Sequence, residues 1–297
     1  MNPMIWYFFN SRNDKLELNY TSSRYFRLFI LTTDVLPILI DFGDGVVNSV
    51  ANNTFVEYDA LVLRNGQVKI LTPNRLRFIA ASIFTGQVAV NWNFSLGSFL
   101  ICKNLIAFDF RSGNVFGSAV NLSQTLEIFQ VLSPSFGVVS GTEQQIPASI
   151  KTFNQTSTNA NYQHTMANVS TFMVNLTAYA VSGISKLTGN LALLPANIIT
   201  INLNNTGTRL HEVSYYTSSG LKVWASNMTQ VILRCATGQG LTTSMLDALL
   251  IDLDATTWLN TGNQVIRLVE GHGTRSSASN AAVTNLSTVR NVLLQLN

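Results

Sequence analysis

The sequence predicts a mainly β chain: an irregular parallel β-solenoid, with a small β-sandwich-like unit before it and a short α/β cap after it. Three observations predict this. An apolar spacing, L-x-x-L-x-L, recurs from Leu76 to the end of the chain. Only 11% of residues are charged while 46% are hydrophobic, so the surface must be built from Asn, Ser and Thr rather than Lys and Glu. Before Leu76, apolar and polar residues alternate with period two, the pattern of half-buried strands. The expected divisions are 1–72 for the N-terminal β unit, 73–240 for the repeats and 241–297 for the αβ cap.

In the first unit, Leu16, Leu18 and Tyr20 alternate with polar positions, and Tyr25–Leu31 and Pro37–Phe42 continue as strands. The second of these runs into Gly43-Asp44-Gly45. Two glycines there supply positive φ and the aspartates close a turn. Asp41-Phe42-Gly43-Asp44-Gly45 resembles the W/F-G-D-G turn of PKD-like β-sandwich modules. Val56–Leu63 and Val68–Leu71 follow as further strands. Ahead of them, Ile5–Phe9 reads either as a first strand or as an assembly segment that docks on another subunit.

The repeats open at Leu76-x-x-Ile79, Leu105-x-x-Phe108-x-Phe110, Leu126-x-x-Phe129-x-Val131 and Ile150-x-x-Phe153. They continue at Val169-x-x-Phe172-x-Val174, Ile198-x-x-Ile201-x-Leu203, Met228-x-x-Val231-x-Leu233, Val265–Leu268 and Val289-x-x-Val292-x-Leu294. The steps are roughly 19 to 35 residues, centred on the twenties of leucine-rich repeats. A five-residue strand cannot bury its apolar ladder alone; stacked parallel strands share one interior column. Phe108, Phe129, Phe153 and Phe172 read as that column. Gln155 stands where the pattern expects an apolar residue. Glycines such as Gly86, Gly113, Gly137, Gly207 and Gly238 punctuate the coils.

The last part changes character. Met245, Leu246, Leu249, Leu250 and Leu253 mark a helical face with Thr243 or Ser244 as N-cap. Ser276–Leu286 reads as a second short helix, capped at Ser277 or Ser279. Each feeds a strand, at Val265–Leu268 and Val289–Leu296, and together they form the cap that an open solenoid edge needs.

Composition excludes several roles. The net charge of +3 has no basic block behind it; Arg24/Arg27 and Arg75/Arg77 are isolated pairs, so no nucleic-acid partner is expected. No apolar run approaches the ~18 residues of a membrane span. The N-terminus lacks the basic start and apolar length of a secretory signal. Cys102 and Cys235 fall some five coils apart, on the order of 20 Å, which predicts two free buried thiols.

Catalytic signals are absent by the same standards, so no catalytic, cofactor-binding or metal-ligating residue is assigned and no cofactor is expected. His164, His211 and His272 have no partner at metal-ligand spacing, and His211-Glu212 reads as a lone pair in a loop. Asp41, Asp44 and Asp59 lack the ligand density of a calcium loop. Asp247, Asp252 and Asp254 read as a solvated helix face rather than a hydrolytic pair. Gly238-Gln239-Gly240 and Gly271-His272-Gly273 read as turns without a phosphate-binding context.

Leu187–Gly207, with its L-T-G-N-L-x-L-L-P-x-N-I-x-x-I-x-L run, resembles repeats of leucine-rich-repeat surface proteins of Bacteroidetes and of their tailed phages. Gly271–Leu286 resembles the closing segment of the same group. Asn190 and Asn280 depart from it, standing where that group often has Asp. The resemblance implies recognition or assembly at a surface. With no export signal, the expectation is a non-enzymatic virion structural protein, a tail, fibre or capsid-surface subunit. Its partners would be other virion subunits, copies of itself as a homo-oligomer, and a host-surface glycan or protein. The alternatives are a bacterial cell-surface adhesin and a solenoid polysaccharide depolymerase. Recognition is expected at Thr200, Asn202 and the loop Asn204–Tyr216.

Overall fold

The structure is a computed structural model that describes residues 15–81, 90–110, 113–132, 139–140, 146–157, 163–183, 186–204, 211–217, 222–258 and 264–296. The chain is mainly β, with a large and mostly parallel sheet. It groups into two compact units: Met1–Gly141 with Gln145–Ser149, and Thr142–Gln144 with Ile150–Asn297. The Ile5–Phe9 segment lies outside the described residues, as do Gly86, Gly137 and Gly207.

The first unit contains β1 (Leu16–Thr32), β2 (Ile38–Asp41), β3 (Val47–Val50), β4 (Thr54–Ile70), β5 (Leu76–Ala81), β6 (Asn91–Ser95), β7 (Ala107–Phe110), β8 (Asn114–Ser118), β9 (Ile128–Leu132) and β10 (Val139–Ser140). β1 and β4 form a long antiparallel ribbon, with the β2–β3 hairpin beside β4. The turn after β2 is built as its residues dictate. Gly43 and Gly45 take φ of 92° and 80°, and the Asp41 carboxylate accepts from both of their N–H groups at 2.7 and 3.0 Å.

From β5 onward the strands interleave between two parallel ladders. β5, β7 and β9 pair in one; β6, β8 and β10 pair in the other. β1 runs antiparallel to both β5 and β6. In the first ladder Ile79, Phe108 and Phe129 stand in register, as do Ala81, Phe110 and Val131, and all six are buried. In the second, Trp92 and Phe94 alternate inward to meet Phe110 at 5.7 and 4.9 Å between ring centroids. Burying one such side chain stabilises by about 1.5–3 kcal/mol.

The second unit repeats the scheme. Its elements are β11 (Thr152–Ser157), β12 (Gln163–Thr165), α1 (Met166–Phe172), β13 (Ala178–Gly183), β14 (Lys186–Asn190), β15 (Thr200–Leu203), β16 (Glu212–Ser214), β17 (Gln230–Arg234), α2 (Thr243–Asp254), β18 (Val265–Glu270), α3 (Asn280–Thr288) and β19 (Leu293–Leu296). β11, β13, β15, β17, β18 and β19 form a parallel ladder, while β12, β14 and β16 form a second sheet. After β16 the helices α2 and α3, not strands, connect one ladder strand to the next.

Two repeats sit in a different register from the one their spacing suggests. Val169 and Phe172 lie on α1, and Val174 is half exposed. The buried set is instead Leu176, Tyr179 and Val181, with Tyr179 in register with Phe153 and Ile201. An i, i+3 apolar pair serves a helix as well as a repeat opening, and Thr165 decides for the helix by capping Asn168 N–H at 3.2 Å. At the C-terminal end, Leu294 and Leu296 pair with Ile266 and Leu268, while Val289 is exposed.

Gln155 occupies the column position next to Val181 at 1% exposure. Neither its Oε1 nor its Nε2 has a hydrogen-bond partner among the described residues. An unmet buried amide costs about 1–3 kcal/mol. Gln155→Leu, of similar size, is therefore expected to raise unfolding free energy by about that amount. Equilibrium urea denaturation measures it, and a loss of stability would refute the account.

Candidate functional site

The outward row of the second unit's ladder is where recognition is expected. Side chains alternate across a strand, so Ile201 and Leu203 point in while Thr200 and Asn202 are half-buried on the other face. Registered with Asn202 are Asn154, Ala180, Ile232, Arg267 and Gln295. Except for Ile232, at 6% exposure, this is a flat row of small or planar polar groups.

Short bonds hold the row in place. Thr200 Oγ1 and Thr229 Oγ1 share a hydrogen bond of 2.7 Å. Asn202 Oδ1 accepts from Asn204 N–H at 3.2 Å. Arg267 Nε donates to Gln295 Oε1 at 2.5 Å. Arg234 donates to Asn204 Oδ1 at 3.1 Å and to Glu270 Oε1 at 2.8 Å. Asn204 was expected as the start of the recognition loop; Arg234, Arg267 and Glu270 were not legible as members, since the register that aligns them is set by pairings up to six strands long.

The far end of the expected loop, Asn204–Tyr216, is not on this face. Residues 205–210 lie outside the described residues. Beyond them, Glu212–Ser214 belong to β16 in the other sheet, and Tyr216 follows at 60% exposure. Thr200 and Asn202 are therefore brought together with Arg267 and Gln295, not with Tyr216. Tyr216 is held by Asn190, whose Nδ2 donates to Tyr216 O at 2.6 Å while its Oδ1 accepts from Tyr216 and Ala192 N–H. Aspartate has no donor for that carbonyl, which explains Asn at 190.

The other singled-out groups serve the backbone. His211, expected in a loop, is fully buried and its Nδ1 accepts from Leu187 N–H at 3.2 Å. The backbone of His164 lies in β12. His272 joins the two Gly-x-Gly turns: its Nδ1 accepts from Leu241 N–H at 3.0 Å, and its Nε2 lies 3.2 Å from Leu233 O. Burial holds its imidazole below the usual range, partly offset by the Leu233 carbonyl.

A glycine loop does connect β17 to α2, contrary to the reading of those turns as lacking that context. The N–H groups at its helix end are nevertheless occupied. Gly240 N–H donates to Gly271 O at 3.0 Å, and Leu241 N–H to His272. A Cβ on Gly240 would meet Gly271 O and His272 Nδ1 at 2.6 Å.

The three acids of α2 overturn the expectation of a solvated face. Asp247 and Asp252 are 6% and 3% exposed. Asp247 accepts from Ser276 N–H at 3.1 Å and from the Ser276 and Ser279 hydroxyls at 2.5 Å. Burial pushes its carboxyl up, but the Ser276 and Ser279 hydrogen bonds with nearby Arg275 more than cancel this and leave it below the usual range. Asp252 accepts from the Tyr215 hydroxyl, and from Lys222 N–H at 3.0 Å. Asp254 accepts from Asn285 Nδ2 at 2.5 Å. Each carboxylate ties α2 to a neighbouring segment.

Asp247→Ala removes an ionised acceptor from three donors at once. It is expected to cost about 2–4 kcal/mol, read by thermal or urea denaturation, with Thr243→Ala on the exposed side as a near-neutral control. A cost no larger than the control's would show that the serines rebond to water without loss.

The aspartates Asp41, Asp44 and Asp59 are likewise engaged, with turn N–H groups, the Tyr58 hydroxyl and Arg24 respectively. Among the described residues no group of three His, Cys, Asp or Glu is placed to hold a metal ion, and no helix is long and apolar enough to cross a membrane. Comparison with known proteins brings no match: no family model, no curated protein and no solved structure matches the chain.

Proposed function

We propose that the chain is a non-enzymatic structural and recognition protein of a phage particle, with the outward row at Thr200, Asn202 and Arg267 as its contact face. In this reading each interleaved pair of ladder strands is one coil of an irregular leucine-rich-repeat-like β-solenoid. The β1–β4 strands are a sandwich-like entry unit and the α2 and α3 coils are the cap. The observation that carries the reading is the contrast between the two faces of one ladder. The inner face is an apolar column broken only by Gln155 among the described residues, and the outer is a registered row of Thr, Asn, Gln and Arg, interrupted by Ala180 and Ile232, at the ~4.8 Å strand spacing.

Such a row offers paired donors and acceptors in a fixed plane. Sugar hydroxyls of a host-surface glycan, or the polar rim of a neighbouring virion subunit, are the partners that this chemistry suits. Mass spectrometry of purified particles tests the role: the chain is expected among the virion proteins, and its recovery only from the surface of uninfected cells would replace this reading with an adhesin. Asn202→Ala with Arg267→Ala is expected to weaken attachment to host cells about tenfold or more, equivalent to ~1.4 kcal/mol, with melting little changed. Undiminished attachment would remove this face from the site.

A further inference from the structure

The chain has three histidines, His164, His211 and His272, and the second unit brings all three into one stack of rungs. Strands β12, β14 and β16 supply the first three rungs. Two short segments, Gln239–Leu241 and Gly271–Gly273, extend the stack. Val213 N–H donates to Gln239 O at 3.0 Å and ties β16 to the first segment. Gly240 N–H to Gly271 O at 3.0 Å and Gly273 N–H to Leu241 O at 2.7 Å tie the first to the second. Histidine and leucine alternate along these rungs. His164 is in register with Leu187, His211 meets Leu187 from the following rung, and His272 meets Leu241 from the last.

His211 and His272 make the same bond. Nδ1 of His211 accepts from Leu187 N–H at 3.2 Å, and Nδ1 of His272 accepts from Leu241 N–H at 3.0 Å. A backbone N–H can only donate, so each Nδ1 presents a lone pair and each ring is neutral. His272 Nε2, 3.2 Å from Leu233 O, then carries the ring proton. Protonating Nδ1 sets one N–H against another and breaks the bond. His211 is fully buried, as are Leu187 and Leu241, so the ring has no solvent to turn toward.

The charged and titratable neighbours are already engaged or stand to the side. Around His272 they are Glu270 and Arg234, which bond each other at 2.8 Å, the buried Cys235 thiol, Arg275 on Asn280, and Asp247 on Ser276 and Ser279. Around His211 they are Glu212 in β16, Lys186 in β14, and Cys235, which takes a bond from Val213 N–H. The first turn of α2 holds no acidic residue to receive a new cation. A Cβ on Gly273 would meet Thr243 N at 2.9 Å, so the residue after His272 lies against the positive end of that helix.

We propose that His211 and His272 form an acid-operated seam. Their protonation at mildly acidic pH parts the stack at the Leu187 and Leu241 junctions and releases the start of α2, whose N-cap is Thr242. The first unit contains no histidine and keeps its fold through the same range. The seam does not depend on what the outward row binds. Burial lowers the His272 imidazole, partly offset by the Leu233 carbonyl. Below the ordinary histidine value of 6.5, the opened segment therefore binds a proton that the closed one does not. Opening gains by up to about tenfold per pH unit for each histidine held neutral. Carboxylates ordinarily titrate near 4, so the window from 6.5 down to about 4.5 belongs to the seam.

Hydrogen exchange of the full chain, read as protection factors from about pH 7.5 to 4.5, tests this. The amides of Leu187 and Leu241 are expected to lose up to about tenfold in protection per pH unit below 6.5, while those of β1 and β4 hold. His272→Asn offers an acceptor oxygen that does not titrate. It is expected to flatten the slope at Leu241 and leave the slope at Leu187. Each slope is taken against the same protein at pH 7.5, so a variant that is looser at every pH still decides, and the wild-type slopes decide where the variant does not fold. Flat protection at Leu187 and Leu241, an equal loss in β1 and β4, or an unchanged Leu241 slope in His272→Asn would each overturn the proposal.

Discussion

Phe108→Ala is expected to lower the unfolding free energy of the first unit by about 3–5 kcal/mol, the range for emptying a buried aromatic site. Phe108 is fully buried and lies where both ladders meet. Its ring centroid is 4.9 Å from Phe99, 4.8 Å from Phe110 and 5.7 Å from the stacked Phe129. Those neighbours belong to three different strands or turns, so no single one can move into the vacancy. Against a typical stability of about 5–15 kcal/mol, the loss is large enough to leave a measurable unfolded population. Phe108→Leu is expected to cost less than half as much, because most of the volume stays. Val62→Ala, on the exposed side of β4, is the control at under about 0.5 kcal/mol. Urea denaturation of the three variants decides the point. Equal costs for Phe108→Ala and Val62→Ala would mean that the aromatic column does not hold the unit together.

That column was largely legible in the sequence. The spacing around Leu105, Leu126, Ile198 and Met228 found their buried side chains because an L-x-x-L-x-L strand flanked by turn residues has few other ways to bury itself. The Asp41–Gly45 turn was legible for the same reason: positive φ and Asx bonding are local. What failed was non-local. Trp92 and Phe94 in β6 also alternate, and Leu187 lies in β14, but only pairing reveals that β6 joins β8 rather than β5 and that β14 belongs to a separate sheet with β12 and β16.

Val169 and Phe172 misled because their spacing satisfies two periodicities, and the capping Thr165 that separates them lies outside the motif. Leu61–Leu63 lie in a strand, β4, as their pattern predicts, but nothing in the run itself shows that β1 supplies one residue opposite four. Asp247 and Asp252 read as solvated because their donors, Ser276, Ser279, Tyr215 and Lys222, are about 30 residues away in sequence. The outward row of the candidate site was half legible: alternation placed Thr200 and Asn202, while Arg267 and Gln295 needed the register.

Above pH 9 both units are expected to lose stability steeply, and the buried thiols set the slope. Cys102 and Cys235 are both free and buried. Burial pushes each thiol from 9.0 up to about 12, relieved slightly at Cys235 by a backbone hydrogen bond. Between those values the unfolded chain has released the proton and the folded chain has not, so the folded state binds more protons and stability falls as pH rises. Each thiol contributes about 1.4 kcal/mol per pH unit across that window. Its stabilisation is complete below pH 9 and lost as pH climbs toward 12. Tyr215, raised by burial and by its bond to Asp252, adds a loss that begins near pH 10. Lys222 acts in the opposite sense. Burial lowers its ammonium, against the pull of Asp252, so its cost to the folded state is relieved as pH rises toward 10.5, which flattens the second unit's curve below that pH and not above it. Urea denaturation at pH 8, 9, 10 and 11 reads these slopes. Cys102→Ala is expected to lower stability modestly at pH 8 while flattening the first unit's fall above pH 9. An unchanged slope would mean that the thiol reaches water before the unit unfolds.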